Sequence, residues 1–232
     1  MSEKALVAII DDDESIRESL ARLIASVGHE VKGFASATEF LESPKTQDAS
    51  CVVSDLRMPV LNGLQLQEAL SCKVPYLSMV FITGHGDIPA TVSAMKAGAV
   101  DFLEKPIKGT VLLDAINRAI ARSNERKAET MALDQLKIRY QQLTLREREV
   151  FALVSAGLLN KQVGAELSVT EKTVKEHRGR VMRKMKAESL ADLVVMAERL
   201  GIRPSDSNFD AAKGKLPLDL ERSRRQNGRS TV

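Results

Sequence analysis

Short apolar runs alternate with helical patterns over the first half of the chain. The apolar runs are typical of buried strands and read ALVAII (5–10), VKGF (31–34), CVVS (51–54), SMVFIT (78–83) and VDFLEK (100–105). Between them, amphipathic patterns predict helices over 15–27, 37–43, 63–71, 89–97 and from 110 onward. Parallel strands need a crossover element between neighbours, so this alternation predicts an α/β fold with a doubly wound, five-stranded parallel sheet.

The second half contains helical patterns without strand patterns. Residues 143–201 hold four such patterns, which predict a small all-α domain. The preceding stretch is polar and lacks Gly and Pro, which predicts a helix that continues from the first half. Its apolar positions follow a 3,4,3 spacing and are Leu133, Leu136, Tyr140 and Leu143. This seam fits either packing against a domain of the same chain or a dimeric coiled coil.

These patterns divide the chain into four segments. An α/β domain spans residues 4–122, a helical linker 123–142 and an all-α domain 143–202. Residues 203–232 are polar and without period, which predicts a disordered tail.

Composition narrows the class of protein. The chain has 232 residues, 44% of them hydrophobic, which suits two globular domains. It has no apolar run near the roughly 18 residues that span a bilayer, and its N-terminus does not resemble a signal peptide. We therefore expect a cytoplasmic protein without a membrane partner. Cys51 and Cys72 lie in apolar surroundings without metal-ligand spacing, so we expect reduced core thiols.

The net charge of +3 conceals an asymmetry along the chain. Residues 1–120 carry 11 Lys and Arg against 16 Asp and Glu, whereas 141–202 carry 11 against 8. Within the second half, residues 172–186 hold seven basic residues and one acid, Glu176. A concentrated basic stripe suggests that the second domain contacts a polyanion.

Polar side chains follow the predicted strands of the first half. Asp11 and Asp12 follow the first strand, Asp55 the third, Thr83 ends the fourth and Lys105 ends the fifth. In a doubly wound sheet these ends converge on one edge, where ligands bind. Carboxylates and a backbone carbonyl can hold a divalent cation such as Mg²⁺ or Mn²⁺. A carboxylate so placed can also attack phosphorus, with Thr83 and Lys105 stabilising the transferred oxygens.

The segments IIDDDES, VVSDLRMP, FITGHGD and AGAVDFLEKP resemble the receiver domain of two-component response regulators. The resemblance implies that Asp55 is the phosphoacceptor. It also implies a metal site formed by Asp11, Asp12, Asp55 and the backbone carbonyl of Arg57. Thr83 and Lys105 would bind the phosphoryl group, Phe102 would change rotamer with Thr83, and the Lys105–Pro106 bond would be cis.

Neighbouring residues fit simpler roles. Asp13 and Glu14 suit the first turn of a helix, where acids favour the helix dipole. His85 suits a surface loop. Asp11 to Ser15 also forms an imperfect version of the DxDx(T/V) motif of haloacid dehalogenase phosphatases, but that family would leave Asp55 unexplained.

A basic helix dominates the second half. Thr170 is a plausible N-cap for a helix from Glu171 to about Lys186, with Ser168 and Glu171 as an alternative capping box. Its apolar face holds Val174, Val181, Met182 and Met185. The basic face could enter a major groove of DNA.

The string LTLREREV…GLLNKQVGAELSVTEKTVKEHRGRVMRKM resembles the LuxR-type helix-turn-helix of NarL/FixJ response regulators. The resemblance implies a scaffold helix at about 160–167 and a recognition helix at about 171–185. Lys175, Glu176 and Gly179 would face bases, although Gly179 replaces the usual bulky residue. The candidates for phosphate contact or packing are Lys172, Thr173, His177, Arg178, Arg180 and Lys184.

Together the resemblances imply a DNA-binding transcription factor rather than an enzyme, one that catalyses only its own phosphorylation and dephosphorylation. Its expected partners are a sensor histidine kinase, double-stranded promoter DNA, RNA polymerase and, on phosphorylation, a second copy of itself. The helix at 189–200 is a dimerisation face in this family, although a small core also needs covering. The alternative is a phosphorylation-independent DNA binder whose receiver is a fixed dimerisation module.

Overall fold

The computed structural model describes residues 4–84 and 88–202. The chain divides between Thr130 and Met131 into two compact units, a boundary that lies inside the predicted linker. Residues 203–232, predicted to be disordered, and His85 lie outside the described residues.

The first unit contains a five-stranded parallel sheet. Its strands are β1 (Leu6–Ile10), β2 (Glu30–Phe34), β3 (Cys51–Asp55), β4 (Met79–Thr83) and β5 (Asp101–Glu104). Their spatial order is β2-β1-β3-β4-β5, and all four pairings are parallel. This confirms the doubly wound sheet. The order makes β1, β3 and β4 consecutive neighbours, so the residues that end these strands are also neighbours.

Helices cover both faces of the sheet. They are α1 (Glu14–Ser26), α2 (Ala37–Glu42), α3 (Gly63–Lys73), α4 (Ile88–Lys96) and the start of α5 (Gly109–Gln141). Val7 and Ile9 pack with residues of α1 and α5, whereas Ala8 and Ile10 pack with residues of α2, α3 and α4. Because alternate strand residues point to opposite faces, strands covered on both sides are continuously apolar. The predicted bounds of these elements agree to within two residues.

Local hydrogen bonds explain where two of these helices begin. Asp13 is the N-cap of α1 and accepts hydrogen bonds from the backbone amides of Ser15 and Ile16. Asn62 caps α3 through a capping box with Gln65. Asp13 therefore has the helix-start role expected of it, at the cap rather than inside the first turn.

The two cysteines differ in environment. Cys51 lies in the buried strand β3, as predicted, and burial raises the pKa of its thiol. Cys72 is exposed on α3, so the prediction of a core thiol is wrong for Cys72. Helix α3 packs on the sheet through Leu66 and Leu70, which leaves Cys72 toward solvent.

Helix α5 is continuous from Gly109 to Gln141 and therefore extends into the second unit. Three of its four seam residues belong to the core of that unit: Leu136 and Tyr140 are buried there with Leu143, which follows the helix, whereas Leu133 is half-buried and outside this core. The Tyr140 and Phe151 rings meet edge to face at 5.6 Å. Of the two interpretations of the seam, the structure supports packing against a domain of the same chain.

The remaining helices are α6 (Leu145–Ser155), α7 (Asn160–Glu166), α8 (Glu171–Met185) and α9 (Leu190–Arg199). Their bounds match the predicted scaffold and recognition helices closely. Thr170 caps α8 by accepting from the Thr173 amide, so the capping alternative with Ser168 is not formed. In α9, Leu193 and Ala197 are buried, whereas Leu190 and Val194 are exposed.

No helix within residues 4–84 and 88–202 is both long and apolar enough to cross a bilayer.

Candidate functional site

The carboxyl ends of four strands bring the predicted polar residues together. Asp11 follows β1 directly, Asp55 ends β3, Thr83 ends β4 and Lys105 follows β5. The Lys105 amide donates to the Thr83 carbonyl at 2.8 Å, and the Lys105–Pro106 bond is cis. The sheet thus places an ammonium group, a hydroxyl group and two carboxylates at one edge.

The Lys105 ammonium joins the two buried carboxylates. Its Nζ lies 2.9 Å from Asp11 Oδ2 and 2.9 Å from Asp55 Oδ1. The other oxygen of each carboxylate accepts from a backbone amide: Asp13 N at 2.9 Å for Asp11 and Arg57 N at 2.8 Å for Asp55. Every oxygen of this buried pair therefore has a donor, and burial of two like charges becomes tolerable.

Burial and hydrogen bonding move the pKa values of Asp11 and Lys105 away from their ordinary values. Burial raises the pKa of Asp11, an effect that its bonds to Lys105 and Asp13 only partly offset. Burial acts to lower the pKa of Lys105, but its bonds to Asp11 and Asp55 outweigh burial and raise it. Lys105 therefore stays charged at neutral pH.

The three consecutive aspartates occupy different environments. Asp11 is buried, whereas Asp12 and Asp13 are exposed. Arg17 of α1 shapes this loop, because its Nη1 donates to the backbone carbonyls of Asp11 at 2.8 Å and Asp12 at 3.0 Å. This contact was not predicted from the sequence. The available signal was the position of Arg17 in the first turns of α1, five residues after Asp12 and six after Asp11.

The donor set suits a hard cation. Among residues 4–84 and 88–202, no three Asp, Glu, His or Cys side chains converge closely enough for a metal centre. Two buried carboxylates do converge, and Lys105 supplies the positive charge between them. Carboxylate oxygens are the ligands that Mg²⁺ prefers, so Asp11 and Asp55 fit such an ion, whereas Asp12 does not converge with them.

Two further residues, Gly63 and Phe102, lie beside Phe81 of β4. A Cβ added at Gly63 would lie 2.7 Å from the Asp55 carbonyl oxygen and 2.8 Å from Phe81 Cε1, so only glycine fits there. The half-buried ring of Phe102 lies 6.4 Å from the Phe81 ring. Gly63 was not predicted to matter; its position directly after the cap Asn62 was the available signal.

The second group of candidates lies on α8. Its buried face consists of Val174, Val181 and Met185. The predicted contact residues that are exposed on its other faces are Lys172, Lys175, Glu176, Gly179 and Arg180. Thr173 is half-buried and its hydroxyl lies 2.9 Å from that of Thr170. The helix thus presents a basic surface with two exposed acids, Glu171 at its start and Glu176.

Two predicted contact residues, Arg178 and Lys184, bond to other residues of the protein, and a third, His177, is half-buried. Arg178 donates to Asn160 Oδ1 at 3.2 Å, and His177 is half-buried. Lys184 Nζ lies 2.6 Å from Glu147 Oε2. For these residues the structure favours packing, which the sequence had left open beside phosphate contact. Glu147 was missed, although Thr144 and Glu147 at capping-box spacing mark the start of α6.

Two family models match the chain. Residues 7–117 match the response regulator receiver domain, and residues 141–197 match the bacterial regulatory proteins of the luxR family.

Several curated proteins are similar over most of their length. Nodulation protein W of Bradyrhizobium diazoefficiens is 50% identical over 87% of this chain and 88% of its own. Transcriptional regulatory protein FixJ of Rhizobium meliloti is 43% identical over 86% of this chain and 98% of its own.

Solved structures show the same architecture. Response regulator StyR is 45% identical, with a TM-score of 0.74 over 84% of this chain and 99% of its own. Full-length FixJ from B. japonicum is 38% identical, with a TM-score of 0.52 over 85% of this chain and 98% of its own. The chain therefore belongs to the response regulators that combine a receiver domain with a LuxR-type DNA-binding domain.

Proposed function

We propose that this response regulator controls transcription through phosphorylation of Asp55 by a sensor histidine kinase. The observation that carries the proposal is the buried Asp55 carboxylate, joined to Asp11 by Lys105 at 2.9 Å on each side, on the strand next to Thr83. A nucleophile, a fixed cation and a hydroxyl at one sheet edge are the parts that phosphoryl transfer needs.

The converging carboxylates of Asp11 and Asp55 and the carbonyl of Arg57 would hold Mg²⁺ or Mn²⁺, and the exposed Asp12 would turn toward the ion to complete the set. When bound, the ion neutralises charge on the phosphoryl oxygens and the carboxylates. An Asp55 oxygen attacks phosphorus, a P–O bond forms, and the P–N bond to the kinase histidine breaks. Lys105 holds its ammonium beside Asp55 and stabilises the negative phosphoryl oxygens.

The phosphoryl group carries a charge of about −1.5 to −2 in place of the single negative charge of the Asp55 carboxylate, and it gives Thr83 and Lys105 a new group to bind. Phe102 follows Thr83, and the surface formed by α4 and β5 changes shape. This surface then supports dimerisation, so that two α8 helices meet two half-sites of promoter DNA. The DNA-bound dimer acts on RNA polymerase at the promoter. We place this activity in the cytoplasm.

The first test measures phosphorylation of the full chain. Incubation with acetyl phosphate and Mg²⁺ should add the mass of one phosphoryl group, and Asp55→Asn should abolish the gain. Asp13→Asn is the matched control, because it removes a nearby carboxylate while keeping a good helix cap. An undiminished gain in Asp55→Asn would move the acceptor to another residue.

The second test separates this proposal from a phosphorylation-independent binder. Affinity for a promoter duplex is measured with and without beryllofluoride, a phosphoryl mimic, at one salt concentration. Tighter binding with the mimic supports control by Asp55. Equal affinities would instead favour a constitutive binder with a fixed receiver dimer.

A further inference from the structure

Three cations surround an open pocket at the C-terminal end of α8. The pocket has a volume of about 520 Å³ and is lined by Thr144, Glu147, Arg180, Arg183 and Lys184. A recognition helix needs side chains that contact DNA and side chains that fix its orientation. Arg183 and Lys184 differ in which of these tasks their surroundings allow.

Lys184 is half-buried, and its ammonium group bonds to neighbouring residues. Its Nζ lies 2.6 Å from Glu147 Oε2 and donates to the Gln142 carbonyl at 3.2 Å. Glu147 is only 2% exposed, and the same oxygen accepts from the Thr144 amide at 2.9 Å. Burial acts to raise the pKa of Glu147, but the bonds from Lys184 and Thr144 outweigh burial and lower it. A lysine that neutralises a buried carboxylate has little charge left for a phosphate.

These bonds also tie α8 to its surroundings. Lys184 connects the last turn of α8 to the first turn of α6 and to the residue after α5. Arg139 of α5 adds a second tie, since its Nη1 donates to the Met185 carbonyl at 3.4 Å. The end of α8 is therefore oriented by polar contacts as well as by its buried apolar face.

Arg183 has the opposite environment. It is exposed, and its Nε lies 3.5 Å from the carbonyl of Gly179, one turn earlier on the same helix. Within residues 4–84 and 88–202, no acidic side chain pairs with Arg183. The 4,3,4 spacing of Lys172, Glu176, Gly179 and Arg183 places Arg183 on the exposed stripe of α8. Its guanidinium is thus available to a phosphate oxygen.

We propose that Arg183, which was not among the predicted contacts, binds the DNA backbone, whereas Lys184 is a positioning residue that orients α8 through Glu147. This assignment rests on the proposed DNA binding by α8 and is independent of phosphorylation. The sequence had made Lys184 a candidate for phosphate contact or packing, and we assign the phosphate contact to the adjacent Arg183 instead.

The salt dependence of DNA binding distinguishes a contact from a positioning residue. A duplex is first selected from a random-sequence library with the wild-type full chain. The slope of log K against log salt concentration is then measured for Arg183→Gln, Lys184→Gln, Glu147→Gln and the double variant Glu147→Gln/Lys184→Gln. Glu147→Gln can keep the capping box, because glutamine also serves at that position. Arg22→Gln is the matched control, since it removes an exposed arginine from the first unit.

Arg183→Gln should reduce the steepness of the slope by about 0.9, the value of one lost phosphate contact. Lys184→Gln and Glu147→Gln should each weaken binding by about threefold to tenfold at an unchanged slope, and the double variant should resemble either single variant. Arg22→Gln should leave affinity and slope unchanged.

The opposite pattern would overturn the assignment. A shallower slope in Lys184→Gln, with tighter binding in Glu147→Gln, would identify Lys184 as the phosphate contact. An unchanged slope in Arg183→Gln would remove Arg183 from the interface. Failure of the wild type to enrich any duplex would refute DNA binding itself, and this outcome is recognised before any variant is measured.

Discussion

Replacing Gly63 with alanine places a methyl group where the first unit has no room for one. The added Cβ would lie 2.7 Å from the Asp55 carbonyl oxygen and 2.8 Å from Phe81 Cε1. Neither atom belongs to a flexible side-chain end: one is backbone, and the other is a fully buried ring. Relief therefore requires movement of β3 or α3. Overpacking of this kind costs about 1–3 kcal/mol.

Because the colliding oxygen belongs to Asp55, the proposed phosphoacceptor, Gly63→Ala should affect both stability and phosphorylation. We expect the thermal transition of the first unit to fall by roughly 4 °C for each kcal/mol, measured by scanning calorimetry of the full chain. We also expect slower phosphoryl incorporation, measured by intact mass.

Gly179→Ala is the matched control for this substitution. An added Cβ there meets no atom within 4 Å, and alanine favours a helix interior over glycine by about 1 kcal/mol. The second unit should therefore be stabilised while phosphorylation is unchanged. Wild-type unfolding and wild-type incorporation in Gly63→Ala would refute the packing account of this position.

Three further substitutions test other parts of the molecule. Leu136→Ala should destabilise the second unit by about 2–5 kcal/mol in denaturant unfolding, and an unaffected second transition would exclude Leu136 from that core. Glu147→Gln should be destabilising above pH 4.5, the ordinary pKa of a glutamate, because the pKa of Glu147 is lower in the folded protein. The stability that its charged form contributes is lost as the pH falls through this lower pKa. A pH-independent difference from wild type would contradict this. Lys105→Gln should lower the free energy of unfolding by up to about 3 kcal/mol at pH 7 and by less near pH 4. The difference is expected because the pKa of Asp11 is raised, so this carboxyl takes up a proton more readily at the lower pH. An equal loss at both pH values would rule out a charge-based cause.

The strand-end residues were predictable because each lies next to a buried apolar run. Asp55 and Thr83 end strands that are covered on both faces, so the position of the strand determines the position of the side chain. Arg17 was not predictable in the same way. Its reach to two loop carbonyls depends on the path of the loop, which hydrophobic periodicity does not encode.

In the second unit, local patterns were reliable and long-range partners were not. The spacing of Thr144 and Glu147 marks a helix start, but the burial of Glu147 depends on Lys184, 37 residues further along the chain. In the same way, the 3,4,3 spacing of α5 identified an apolar face correctly. It could not say which domain that face would contact, because periodicity describes one helix and not its neighbour.

The continuity of α5 restricts how this protein can exchange modules with its relatives. A helical connector looks like a convenient joint, yet from Leu136 onward its apolar face forms part of the DNA-binding core. A recombination point after Gln141 would bring in a foreign helix end and leave Phe151 without its ring partner. A joint near residues 124–130 keeps each core intact, since that stretch contributes no buried side chain. Viable chimaeras in this lineage should therefore carry their crossover inside the helix rather than at its end.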